Sequence, residues 1–169
     1  MIEVKVGSRF IHPRHGVVEI SGTDERLLNG NIVDYVVMDA SSANLTIKIP
    51  VESFETVGVR PAMEMADIEL LFKVLRSGPS EELRNWSRRF KDNEQRILSG
   101  DAYLIAEVVR NLSKRGGADG YVSHGERKLL DRARRAVEAE IQLALGIGPE
   151  EAAERLDEEL ELTGGRGRK

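Results

Sequence analysis

The chain has 169 residues, enough for one large domain or two small ones. Its net charge of −4 rules out a generally basic nucleic-acid binder and confines any such contact to a local patch. With no cysteine, it can hold no disulfide framework, thiolate metal site or thiol nucleophile. No apolar run approaches the ~20 residues of a membrane span, and Met1–Gly7 alternates like a strand without a signal-peptide core, so a cytoplasmic protein with no membrane partner is expected.

Residues 1–60 read as β structure. Arg9–Ile11 and Val17–Ile20 flank a Pro13-Arg14-His15-Gly16 turn. Ile32–Met38 and Leu45–Ile49 are rich in β-branched residues. Leu28-Asn29-Gly30-Asn31 carries the Asn-Gly hairpin signal. Four or five short strands over this length predict a small, strongly bent antiparallel barrel. Its edges need cover or a partner strand.

After Pro61 the apolar period changes. Met63, Ile68, Leu71, Phe72 and Leu75 predict a helix of about a dozen residues, and Ser77-Gly78-Pro79 breaks it. A second helix is expected from a polar start at Ser80–Leu83 to a stop at Gly100, with Leu83, Phe90, Ile97 and Leu98 as its apolar stripe. Asp101 caps a third, with Leu104, Ile105, Val108, Val109 and Leu112 inward, before a loop at Arg115–Gly120. Ser123-His124-Gly125-Glu126 has capping-box spacing and opens the longest helix, to about Leu145. Pro149 suits the first turn of a short acidic helix over Glu150–Leu162. The fold class is therefore α+β: a β module over residues 1–60, a compact all-α module of about five helices over 61–162, and a disordered Gly/Arg tail over 163–169.

Charge is sorted unevenly. Cations outnumber acids from Arg84 to Arg135, whereas Arg155 alone opposes the acids of Glu150–Glu161. Within the basic part, Asn85-Trp86-Ser87-Arg88-Arg89-Phe90-Lys91 holds the chain's single tryptophan. On a helix Trp86 and Phe90 share a face. A lone tryptophan on an amphipathic helix is more often core than contact surface. Here the flanking Arg84, Arg88, Arg89 and Lys91 must keep their charged heads in water, so the stretch is read as a nucleic-acid contact. Chemistry is otherwise sparse. His12 and His15 share one turn without a third ligand at useful spacing, so no metal site is expected. No phosphate loop, dinucleotide fingerprint or nucleophile motif is present. Neither enzyme activity nor a cofactor is expected.

Taken together and in this order, several segments resemble the CarD/CdnL family of bacterial RNA-polymerase-binding transcription regulators. They are Pro13–Gly16, Asn44–Pro50, Val57–Arg60, Val74–Arg76, Asn85–Lys91, Leu98–Asp101, Ala106–Leu112 and Ser123–Arg127. The resemblance implies a Tudor-like N-terminal domain that pairs a sheet edge with the RNA polymerase β subunit, using Arg26 and Lys48. Position 48 is often Arg in the family, and Lys keeps the charge without the two-pronged geometry. His12 stands where Tyr is common. The helical module would be a DNA-binding domain, with Trp86 wedged into the minor groove at the upstream edge of the promoter bubble. Arg88, Arg89, Lys91 and Arg127 would hold phosphates without reading sequence. The implied protein is a non-enzymatic factor that stabilises the promoter open complex, associated with the nucleoid through the polymerase. Nothing in the sequence demands a dimer, and a monomer is expected. Two alternatives stand beside this reading: a protein–protein adaptor with Trp86 in its core and no DNA contact, and an autonomous DNA-binding repressor. The latter lacks an evident base-reading helix.

Overall fold

The computed structural model of the chain describes residues 3–40, 43–79, 84–117 and 121–161. Two compact units divide at residues 62 and 63. The first is a four-stranded antiparallel sheet in the order β1-β2-β3-β4: β1 (Arg9–His12), β2 (Gly16–Leu28), β3 (Asn31–Ala40) and β4 (Leu45–Pro50). Alternation sends Val18, Ile20, Val36, Met38, Ala40 and Ile49 to one face, where Phe10, Phe54 and Val59 complete a core. Phe10 and Phe54 meet edge to face with ring centroids 5.4 Å apart.

A register shift between Ile20 and Gly22 bends β2. Asn29 and Gly30 both take positive φ (51° and 84°), the backbone a two-residue hairpin turn requires. The curled sheet stays open, with β1 and β4 as its margins. A bridge from Ile11 to Arg60 covers the outer side of β1. β2 and β3 outrun their apolar segments, because Thr23–Leu28 pairs with Asn31–Val36 as a two-stranded ribbon. In that stretch, pairing overrides weak strand propensity. His12 is buried, and its Nδ1 accepts the Arg14 backbone N–H at 3.1 Å.

The second unit holds α1 (Met65–Arg76), α2 (Trp86–Leu98), α3 (Ala102–Gly117), α4 (His124–Leu145) and α5 (Pro149–Glu161). Ile68, Leu71, Phe72 and Leu75 of α1 meet Ile105, Val108, Val109 and Leu112 of α3, Leu129, Ala133, Val137 and Ile141 of α4, and Leu156 of α5 in one core. Asp101 caps α3 by accepting the Tyr103 and Leu104 N–H groups. The capping box at Ser123 and Glu126 is present, and Gly146 closes α4 in the left-handed conformation.

Three sequence expectations change. α2 begins at Trp86 with Asn85 as its cap, not in Ser80–Leu83, which lie outside the described residues, as do residues 162–169. Leu98 is 68% exposed, because it stands one residue past the stripe that Phe90 and Ile97 occupy. Arg115 belongs to the last turn of α3 rather than to a loop. Among the described residues no helix is long and apolar enough to cross a membrane, and no group of three His, Asp or Glu could hold a metal.

Candidate functional site

The start of α2 determines what Trp86 can do. Asn85 Oδ1 accepts the Arg88 backbone N–H at 3.1 Å, which fixes Asn85 as the cap and Trp86 as the first helical residue. A side chain there has no preceding helical turn to pack on. Trp86 is accordingly 48% exposed, unlike the core tryptophan of the adaptor alternative. Its ring stacks on Phe90, with centroids 5.3 Å apart and planes 28° from parallel. Phe90 packs on the helical core. It also covers Gly125, the second residue of α4, where an added Cβ would lie 3.0 Å from Phe90 Cε2. Gly125, Phe90 and Trp86 thus form three layers from the α4 N-terminus to solvent.

The cations of α2 and of the α4 start divide into two kinds. Arg88, Lys91 and Arg127 are exposed. Among the described residues none of them pairs with a carboxylate. Arg89 is only 16% exposed, and its Nε donates to Glu126 Oε1 at 3.1 Å. Glu126 is fully buried and also accepts from Arg115 Nη1 at 3.1 Å and from the Ser123 N–H at 3.0 Å. Burial alone pushes its carboxyl up. The Ser123 N–H, Arg89 and Arg115 outweigh burial and hold it below the usual carboxylate range. Glu126 therefore links three helices, and the first turn of α4 meets α2 at Arg89 and at Phe90, the ring on which Trp86 stacks.

A second cluster lies on the sheet face opposite the β core. Lys48 Nζ donates to Asp24 Oδ2 at 2.8 Å, and Arg26 Nε donates to the same oxygen at 3.3 Å. The Lys48 ammonium and the Arg26 guanidinium hold the Asp24 carboxyl below its ordinary value. The Arg26 guanidinium lies 5.9 Å from the Tyr35 ring centroid. Residues 24 and 26 share a face of β2, and the strand order carries that face across β3 to Lys48 on β4. Arg26 and Lys48, 22 positions apart, are brought together by one carboxylate.

Asp24, Arg115, Gly125 and the buried role of Glu126 were not read from the sequence. Asp24 follows only once β2 is known to run to Leu28, since residues two apart on a strand face the same way. Glu126 showed itself only as the third residue of a cap. Nothing local connects it to Arg89, 37 positions earlier.

Comparison with known proteins gives two family matches that divide the chain as the fold does. The model of the CarD-like/TRCF RID domain matches residues 4–63, and that of the CarD C-terminal domain matches residues 70–157. YdeB of Bacillus subtilis (strain 168), named as a candidate transcription factor, is 27% identical over 143 residues, covering 85% of this chain and 93% of that protein. The solution structure of the 72-residue N-terminal domain of Myxococcus xanthus CarD is 24% identical, covering 36% of this chain and 81% of that one, with a TM-score of 0.31.

Proposed function

The chain belongs to the CarD family of transcription regulators, and from that premise we propose that it binds RNA polymerase through its β unit and stabilises the promoter open complex through Trp86. The observation that carries this reading is the exposed Trp86, stacked on Phe90, in a part of the chain whose Arg88, Lys91 and Arg127 are exposed and pair with no carboxylate among the described residues. A flat apolar ring at the end of a helix can cover a base step that has lost its stacking partner. Unstacking costs on the order of a few kcal/mol, and the new packing of ring against base offsets it. The three cations hold flanking phosphates, which positions the ring without reading sequence. Arg89 acts from beneath: it ties α2 to Glu126 and keeps the ring in place.

The β unit supplies the tether. Arg26 and Lys48, organised around Asp24, form a compact charged face beside the open edge of β4. A strand of the polymerase β subunit adding to that edge would bring its side chains to this face. Tethering raises the effective concentration of the helical unit at the promoter, so its own DNA affinity can be weak and an acidic chain can still act on DNA.

Trp86 is the only tryptophan, so its emission reports the contact directly. Adding fork-junction DNA with unpaired bases to the full chain should quench Trp86 emission and shield it from acrylamide. Fully paired duplex should do so less. Identical emission and quenching with and without fork DNA would contradict the assignment.

A further inference from the structure

α2 is the helix of the second unit that the shared core holds least. α1, α3, α4 and α5 each place a large apolar side chain fully inside: Leu75, Leu112, Ile141 and Leu156. On α2 the one buried residue is an amide, Asn93. Its docking face centres on Arg89, Phe90, Asn93, Arg96 and Ile97, which helical spacing gathers within about 120°. Phe90 and Ile97 are only partly buried. The rest of the seam is polar. Arg89 donates to Glu126 of α4, and Arg96 donates to Glu107 of α3. The Asn93 Nδ2 group finds no acceptor among the described residues, so this buried amide opposes docking.

We propose that α2 leaves and rejoins the other four helices as one unit, so that Trp86 is presented by a docking equilibrium. The inference goes beyond the reading of Trp86 as a DNA contact and does not depend on DNA. Breaking a buried ion pair is ordinarily severe, because one charge is left alone in a dry site. Release of α2 strands no charge in this way. When Arg89 departs, Glu126 keeps Arg115 and the Ser123 N–H. When Glu107 is lost, Arg96 keeps Asp92 on its own helix. The neighbouring helices also hold their own starts: Asp101 caps α3, and the Ser123–Glu126 box caps α4. Gly100 joins α2 to α3. It is exposed, takes a φ of 72° and has open space around it, which suits it to absorb a change in chain direction. Phe90 covers Gly125 in the docked helix, so the docked fraction scales the apparent affinity of any partner that reads the Trp86–Phe90 stack there.

The test is hydrogen exchange of the full chain, followed residue by residue. In wild type at low salt, the amides of Phe90–Leu98 should share one protection factor, at least about 100-fold below that of the buried stretches of α1 and α4. Raising salt to about 1 M shortens the screening length to about 3 Å. It should cut α2 protection about 2- to 5-fold relative to those stretches. Asn93→Leu, which replaces the unpartnered amide with an apolar group, should raise α2 protection about tenfold. Equal protection in α2 and α4 overturns the inference, because α2 then opens only when the whole unit unfolds. Protection that falls away gradually from the ends of α2 also overturns it, since that is fraying and not release of a unit. Lower α2 protection in a folded Asn93→Leu shows that the amide favours docking and overturns the seam. If Asn93→Leu does not fold, the wild-type salt comparison decides, and unchanged relative protection at high salt overturns the inference. Each outcome is read without DNA, so the tryptophan contact can fail while the release of α2 stands.

Discussion

The two charged faces of this protein are built in opposite ways. On the sheet, Arg26 and Lys48 converge on Asp24, so their charge is partly matched before any partner arrives. At the start of α2 the matching carboxylate lies underneath: Glu126 is buried and engages Arg89 and Arg115, while Arg88, Lys91 and Arg127 are left open to solvent. A face with balanced charges suits a structured protein surface that presents both signs. A face whose anions are internal suits a polyanion. In the proposed reading, one short chain of negative net charge addresses both kinds of partner because charge is sorted residue by residue.

The contrast breaks most severely at Glu126. Glu126→Ala removes the cap partner and the buried carboxylate that Arg89 and Arg115 share. It should cost about 3–5 kcal/mol in denaturant unfolding, and a loss below about 1 kcal/mol would show that the carboxylate braces nothing. Arg26→Glu places two carboxylates side by side on the sheet face. It should weaken polymerase binding at least about tenfold with little change in melting temperature, and unaltered binding would remove the polymerase assignment from this face.

A smaller effect sharpens the layered view of the tryptophan site. Gly125→Ala adds helix propensity of about 1 kcal/mol but pushes a methyl toward Phe90. Stability should change by less than about 1 kcal/mol while Trp86 emission shifts. Unchanged emission would mean that the α4 turn does not set the ring.

The smallest effect is the pH response of the sheet unit. Burial, with His15 and Arg14 nearby, lowers the pKa of His12, and its Nδ1 is held as an acceptor by the Arg14 N–H. The folded state therefore binds fewer protons than the unfolded chain. Its contribution to stability is complete above the ordinary imidazole value of about 6.5 and declines as pH falls through that value toward the lowered one. His12→Tyr should flatten that decline in a urea series from neutral to mildly acid pH. An equally steep decline in the variant would assign it to another group.

The sequence made the elements legible where period and cap agree. The α1 stripe from Ile68 to Leu75, the capping box of α4 and the Asn29-Gly30 turn stand where local chemistry puts them, whereas Met63, read as the first residue of that stripe, precedes the helix. The start of α2 was not legible, because Ser80 and Asn85 are both good caps and only the bond from Arg88 to Asn85 decides between them. That difference matters, since a tryptophan one turn inside a helix would have packed on the turn before it. Nor could the sequence distinguish Arg89 from Arg88. They are adjacent and chemically identical, and a carboxylate 37 positions away from Arg89 separates them. Asp24 was missed for a related reason: the polar half of β2 carries no strand signal of its own, so its facing pattern could not be read.

Everything proposed for the helical unit turns on Trp86 being a contact residue held at the surface rather than a core residue. The decisive quantity is the lifetime of polymerase–promoter open complexes with wild-type protein and with Trp86→Ala, at concentrations where both saturate the polymerase. Wild type should lengthen the lifetime, and Trp86→Ala should lose most of that effect while its melting temperature and polymerase affinity remain near wild type. Equal lifetimes with both proteins would contradict the assignment.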